Sequence, residues 1–242
     1  MNANAIFSRM NACGISISEA AASRIARYHD MLLDYNTRMD LTAVTDPDEM
    51  PDRHYVDSLS VLKMPDALPL GARLIDVGSG AGFPGLPLAI AREDLSVVLL
   101  DSLKKRVGFL ADVISELKLS NVQAVHLRAE DGAHNPLYRE QFDVGIARAV
   151  AALPVLLEYV LPFVKQGGQA LLWKGPGVKA ELADGERVAA LLGGEVLAPV
   201  SMPIQGRDWQ HFIIPVRKSF PTPRQYPRKS GTPLKQPLHQ NL

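Results

Sequence analysis

Residues Leu74-Ile75-Asp76-Val77 form a short β-type run that passes directly into Gly78-Ser79-Gly80-Ala81-Gly82-Phe83-Pro84-Gly85. A strand that runs into several glycines lets main chain approach a ligand without side-chain interference. This feature constrains the fold more than any other, because ligands of open α/β sheets bind outside the carboxyl ends of the strands. Read literally, Gly80-Ala-Gly82-Phe-Pro-Gly85 satisfies GxGxxG, the dinucleotide fingerprint. Its context departs from that fingerprint. There the first glycine ends the strand and the third packs inside a helix; here the strand ends at 76–78, and Pro84 stands where a helix would begin.

Around this loop the chain divides into three zones. Residues 1–65 read as a helical extension. Ser16-Ile-Ser-Glu19 spells a capping box, and Ile25, Tyr28, Leu32 and Tyr35 recur at the three- and four-residue spacing of one helix face. Asp46-Pro-Asp-Glu49 is a second start signal, continued by Val56, Leu59 and Leu62. Residues 66–217 alternate strand and helix patterns, which predicts parallel strands joined by crossover helices. Val97–Leu100, Val122–Leu127, Phe142–Ala147 and Ala170–Trp173 are the further strand candidates. Ser102 is expected to cap a helix carrying Val107, Leu110, Val113, Ile114 and Leu117. Phe212–Pro215, late in the chain, reads as an antiparallel edge strand.

Residues 218–242 form a basic, proline-rich tail. It holds Lys218, Arg224, Arg228, Lys229, Lys235 and no acid, and five of the chain's 18 prolines. With 26 basic and 26 acidic residues in all, the rest of the chain carries 21 against 26, a net of −5. A basic tail on an acidic body points to an anionic partner at one end. Without apolar periodicity the tail is expected to lie on the surface, free or bound; the rival reading is that it folds back and covers the sheet with Tyr226 as an anchor. Cys13 is the lone cysteine, which excludes an intramolecular disulfide and a thiolate zinc site and fits a reducing, cytoplasmic setting. No signal-peptide layout opens the chain, and its most apolar stretch, Ala149–Val164, is too short and too broken to span a bilayer.

The spelling Asp76-x-Gly78-x-Gly80-x-Gly82 resembles the first motif of class I S-adenosylmethionine-dependent methyltransferases, whose glycine loop passes under the methionine and ribose. Asp101 follows Gly82 by 19 residues, at the end of the second strand. A carboxylate there accepts both ribose hydroxyls, or caps the helix beyond Ser102; it does not choose between NAD and S-adenosylmethionine. Ala129-Glu130 follows the third strand, where many methyltransferases read the adenine edge.

Further short motifs then occur in order: Leu41-Thr42-Ala43-Val44, Arg53-His54-Tyr-Val-Asp57-Ser58, Leu100-Asp101-Ser102 with Lys105-Arg106, Ala147-Arg148-Ala149 and Lys174-Gly175. Together with Phe83-Pro84-Gly85 they resemble the small-subunit ribosomal RNA guanine-N7 methyltransferase G family, also called glucose-inhibited division protein B. Tyr226-Pro-Arg-Lys-Ser-Gly-Thr-Pro-Leu is similar to the C-terminal motif of its Gram-positive-type members. The resemblance implies a class I Rossmann-like sheet and transfer of methyl from S-adenosylmethionine to N7 of a guanine in 16S ribosomal RNA, naked or within the small subunit. It implies cofactor contacts at Gly78, Phe83, Ala129, Glu130 and Arg148, with Arg148 also positioning the target; the reading of the glycine loop and of the second strand end adds Gly80 and Asp101. It places Arg53, His54 and Lys174 toward RNA, and the charge of the tail adds Arg228 and Lys229. His54 reads equally as a packing histidine, and Lys105-Arg106 equally as a solvated helix face.

The residue inventory agrees with that chemistry. Guanine N7 carries an in-plane lone pair and no proton, so its methylation requires no general base. Pyrimidine C5 methylation would need a nucleophilic cysteine, and Cys13 lies in the helical extension. Exocyclic-amine methylation would need an Asn/Asp-Pro-Pro-aromatic motif after the fourth strand; Asn135-Pro-Leu-Tyr138 precedes that strand and lacks the second proline. No metal is called for. A methyltransferase for small molecules would have no use for the basic tail, and a nicotinamide-dependent oxidoreductase rests on GxGxxG alone.

Overall fold

The computed structural model describes residues 1–238; the last four of the basic tail, 239–242, lie outside the described residues. Helices α1 (Ala3–Ala12) and α2 (Glu19–Asn36) open the chain. The cap of α2 is Ser18 rather than Ser16: its hydroxyl accepts the Ala21 N–H at 3.1 Å, and Glu19 is already the first helical residue. The expected face of α2 is buried at Ile25, Tyr28 and Leu32. The segment begun by Asp46-Pro-Asp-Glu49 is not one regular helix. It runs through a wide π turn at Pro51–Val56, a single α turn α3 (Asp57–Leu59) and a 3-10 turn at Ser60–Lys63. Widened turns of this kind recur at functional sites; this one buries His54, and Asp57, buried too, follows it at the start of α3.

Then the alternation begins: β1 (Arg73–Val77), α4 (Gly85–Ala91), β2 (Ser96–Asp101), α5 (Lys104–Glu116), β3 (Val122–His126), α6 (Ala129–Gly132), β4 (Phe142–Arg148), α7 (Leu153–Val160) and β5 (Val164–Lys174). After α8 (Leu182–Leu191) come β6 (Gly194–Val196), β7 (Val200–Ser201), β8 (Phe212–Lys218) and α9 (Thr232–Lys235). The described strands form one eight-stranded sheet in the order β3-β2-β1-β4-β5-β8-β6, with β7 also on β8. The first five strands are parallel, and β8 runs antiparallel to β5.

Because successive strand residues point to opposite faces, each strand feeds two cores. Leu74, Val97, Leu99 and Ile146 join the apolar residues of α1, α2, α4 and α5 on one face. Ile75, Val98, Leu100 and Leu172 join those of α7 and α8 on the other. The N-terminal extension thus serves as cover for one sheet face.

Two expectations fail at the end of the chain. β8 is not an edge strand, since β5 lies on one side and β6 and β7 on the other. Pro215 is tolerated there because its carbonyl accepts from Leu197 at 2.8 Å, on the β6–β7 side, so its missing N–H falls where the ladder already breaks between those two short strands. Nor does the tail lie loose. Lys218 is fully buried, and Thr222 and Tyr226 are buried. The Lys218 ammonium donates to the Leu161 carbonyl at 2.8 Å and to Thr222 Oγ1, and burial lowers its pKa to about 8. Arg139 donates to the carbonyls of Thr222 and Tyr226, at 2.8 and 2.9 Å. The tail satisfies its backbone through charged side chains of the sheet's loops, so it needs no apolar periodicity.

Chain order reverses between β1 and β4, the topological switch point of the sheet, and the loops after β1, β2, β3 and β4 open a cleft there. Among the described residues no helix is long and apolar enough to cross a membrane, and no group of three or more His, Cys, Asp or Glu is placed to hold a metal ion.

Candidate active site

The chain leaves β1 through Gly78, Gly80 and Gly82, all at positive φ. A Cβ on Gly80 would meet nothing closer than the Gly78 carbonyl oxygen at 4.0 Å, because it points into the open cleft. Gly85 has a different task. A Cβ there would come within 2.6 Å of Leu99 and 2.7 Å of Asp76, so only glycine lets α4 pack onto the sheet. From behind, the Tyr28 hydroxyl of α2 donates to the Ala81 carbonyl at 2.5 Å, and its ring lies 5.5 Å from that of Phe83. The N-terminal helix therefore props the glycine loop.

The cleft has a volume of about 570 Å³. Asp101 lies on its floor, buried, with one oxygen accepting the Gly80 N–H at 2.9 Å and the other the Leu103 N–H at 2.8 Å. This carboxylate, not Ser102, precedes α5 with a capping bond, and the same side chain faces the cleft. Asp76 lies behind the loop, fully buried. Its Oδ2 accepts the Gly85 N–H at 2.9 Å, and its Oδ1 has no partner among the described residues. Burial pushes its pKa up to about 7, and nearby Asp101 adds to this against the opposing Gly85 N–H and Arg148.

A second pocket of about 370 Å³ adjoins the cleft and shares His54, Arg148 and Ala149 with it. Asp57 organises it. One carboxylate oxygen takes Arg148 Nη1 at 2.8 Å, and the other takes His211 Nδ1 at 2.8 Å. Burial works to raise the Asp57 pKa, but the bonds and charges of His211 and Arg148 hold it below the usual range. The Trp173 indole donates to the Asp57 carbonyl at 2.9 Å, and Arg148 also donates to the Arg53 carbonyl at 2.7 Å. His54 stacks on Phe83 with ring centroids 4.4 Å apart, and its Nε2 meets Thr42 Oγ1 at 2.9 Å. Burial, with the Arg148 charge, lowers its pKa to about 3. His54 is thus a neutral packing residue as well as a wall of both cavities.

The remaining basic groups are fixed rather than free. Arg53 pairs with Glu49 at 2.6 Å and lies over the Trp209 ring at 3.9 Å. Lys174 pairs with Glu181 at 2.8 Å, and Arg207 pairs with the buried Asp52 at 2.7 Å.

The seven residues anticipated for a cofactor, Gly78, Gly80, Phe83, Asp101, Ala129, Glu130 and Arg148, all line the cleft. Arg53, His54 and Lys174 line the adjoining pocket. Arg228 does not join them: its guanidinium turns inward onto the buried Glu158, Nη2 to Oε2 at 2.7 Å. Lys229 is exposed and lines neither cavity. Sequence reasoning gave no role to Asp57, Trp173, His211, Gly231 or Leu234. Asp57 was visible inside a motif, but its partner His211 stands 154 positions away in a stretch without pattern.

Against known proteins, the family model described as rRNA small subunit methyltransferase G (GidB) matches residues 21–210. The chain belongs to that family. The Ribosomal RNA small subunit methyltransferase G of Alkaliphilus oremlandii is 45% identical over 224 residues, covering 93% of each chain. That of Leuconostoc citreum is 45% identical over 239 residues, covering 98% of this chain and 100% of the relative. Among solved structures, M. jannaschii TYW2 in complex with AdoMet superposes with a TM-score of 0.54 at 15% identity, over 72% of this chain and 77% of that one. This last likeness concerns the fold alone, a class I Rossmann-like methyltransferase sheet.

Proposed function

We propose that the chain transfers a methyl group from S-adenosylmethionine to N7 of a guanine in 16S ribosomal RNA. The observation that carries this reading is the joining of the two cavities: a backbone-lined cleft opens sideways, at His54, Arg148 and Ala149, into a pocket walled by Trp173 and paired cations. The cleft fits S-adenosylmethionine rather than a dinucleotide. A pyrophosphate would need the free N–H groups that open α4, and the Asp76 carboxyl already takes the Gly85 N–H there. The space above Gly80 is free of side chains, and Asp101 still has lone pairs for ribose hydroxyls.

S-adenosylmethionine supplies the methyl group together with the positive charge that passes to the base. Gly78, Gly80 and Phe83 shape the space it takes, Asp101 holds its ribose, and Ala129-Glu130 faces its adenine. Arg148, held by Asp57, keeps the junction in one geometry, and orientation is the main catalytic demand when no proton has to move. His54 contributes a neutral surface, so Arg148 is not joined by another cation at the junction. The Arg53–Trp209–Arg207 stack lies at the side of the pocket, where arginine pairs with phosphate or with guanine O6.

The test is methylation of 16S ribosomal RNA and of isolated small subunits by the purified protein with labelled S-adenosylmethionine. Product mapping should show N7-methylguanine at a single site. Saturable NADH binding with no binding of S-adenosylmethionine would overturn the reading.

A further inference from the structure

The C-terminal segment after β8 reaches the cleft. Gly231 and Leu234 line it, on the side of Glu130 and Tyr159. The Gly231 N–H donates to Glu130 Oε1 at 2.8 Å, so one oxygen of this buried carboxylate is already committed to the tail. Leu234 is 64% exposed although it is apolar, and Leu103, on the β2 side of the same cleft, is 43% exposed. Apolar side chains left in water within one concave site are surface in wait of a flat, partly apolar group.

The segment is firmly seated. Arg228 grips Glu158 through Nε at 2.9 Å and Nη2 at 2.7 Å, and the Arg228 N–H adds a third bond at 2.7 Å. The Ser230 hydroxyl reaches Asp131 at 3.0 Å, and the Pro227 carbonyl lies 2.7 Å from His134 Nε2. Glu158 belongs to α7, whose next residue, Tyr159, is itself a cleft wall. Anchor and wall are thus two faces of one helix.

We propose that residues 228–234 are part of the cofactor site, with Gly231 and Leu234 forming the outer wall of its adenosine end and the Arg228–Glu158 pair fixing that wall. The proposal rests on the reading of the cleft as the S-adenosylmethionine site. It gives the tail a task other than phosphate binding and explains why its central arginine faces inward.

The test is the binding of S-adenosylhomocysteine, measured by calorimetry, with thermal melts on the same samples. Leu234→Asp should weaken binding by about tenfold and Leu234→Ala by a few-fold, since each removes apolar contact area from a ligand that buries it. Both variants should melt as the wild type does, because Leu234 is largely in water. Gln225→Ala, exposed on the same segment, should bind normally. Truncation after Lys218 should weaken binding further and lower the melting temperature, because Thr222 and Tyr226 are lost from the interior. A Leu234→Asp protein that binds S-adenosylhomocysteine as the wild type does overturns the proposal, as does a truncated chain of undiminished affinity. A wild-type protein that does not bind it at all overturns the reading of the cleft itself.

Discussion

The cleft and the pocket beside it share three residues, yet they are built on opposite plans. The cleft is made largely of main chain and apolar side chains from loops that follow consecutive strands. In the pocket the charged side chains come from far apart, and each arginine and lysine there is already matched to a carboxylate: Arg53 with Glu49, Lys174 with Glu181, and Arg148 with Asp57, whose other oxygen takes His211. A ligand of fixed shape is met by backbone that leaves room for it. On the proposed reading, the pocket meets a flexible polymer with side chains already held by partners, so less order is lost when it docks.

If this contrast is right, the largest effect comes from filling the cleft. Gly80→Val places a branched side chain into the open space at a φ of +59 and should abolish S-adenosylhomocysteine binding in a folded protein. Retained affinity in calorimetry would show that the cofactor lies elsewhere. Asp57→Asn attacks the other plan. It keeps volume but removes the anion between Arg148 and His211, so methylation should drop by about 10- to 100-fold. Affinity for S-adenosylhomocysteine should stay within about threefold, and a few degrees of melting temperature should be lost as a buried arginine loses its counter-charge. Equal loss of donor binding would erase the division between the two cavities.

A smaller effect separates them by pH. Asp76, pushed up to about 7, holds its proton in the fold where the unfolded chain, at 3.8, has released it, so it costs stability as pH rises between those values. His54, lowered to about 3, stays neutral in the fold while the unfolded chain takes a proton below 6.5, so it costs stability as pH falls through that range. The two slopes oppose one another between about pH 4 and 6.5. Asp76→Asn removes the first alone. It should be more stable than the wild type at pH 8, and its own stability should fall on acidification by up to about 1 kcal/mol per pH unit below pH 6.5. Denaturant melts across pH 4–8 read this directly, and parallel curves for the two proteins would refute the assignment to Asp76. The smallest effect belongs to the rim. Trp209→Ala frees Arg53 and Arg207 from their shared ring and should weaken RNA binding by only a few-fold, at about 0.5–1 kcal/mol per exposed cation–π contact. Unchanged filter binding would place RNA away from this rim.

The same contrast explains what could be read from the chain. Gly78, Phe83, Asp101 and Ala129-Glu130 stand beside strand ends, and a strand end is a local pattern of apolar run and turn residue, so the cleft was legible as a series of short motifs. Asp57 and His211 meet only through the fold, 154 residues apart, and no local period marks such a pair. Ser16 and Ser18 offer the same hydroxyl, so the sequence does not separate them as caps of α2; the structure places the cap at Ser18. The packing of the tail escapes local pattern for another reason. Lys218 and Arg139 donate to main-chain carbonyls and Glu158 accepts the Arg228 N–H, and a search for apolar periodicity cannot register that kind of interior.

The bond from Tyr28 to the Ala81 carbonyl sets a limit on modularity. A fragment beginning at β1 would keep every residue of the glycine motif, yet it would lose the phenol that closes on this carbonyl and the ring beside Phe83. It would also bare the sheet face that α1 and α2 cover. The part that looks like a self-sufficient nucleotide-binding unit is therefore half of one, with its other half encoded some fifty residues upstream. Inheritance, domain grafting and truncation must treat the two as a single unit.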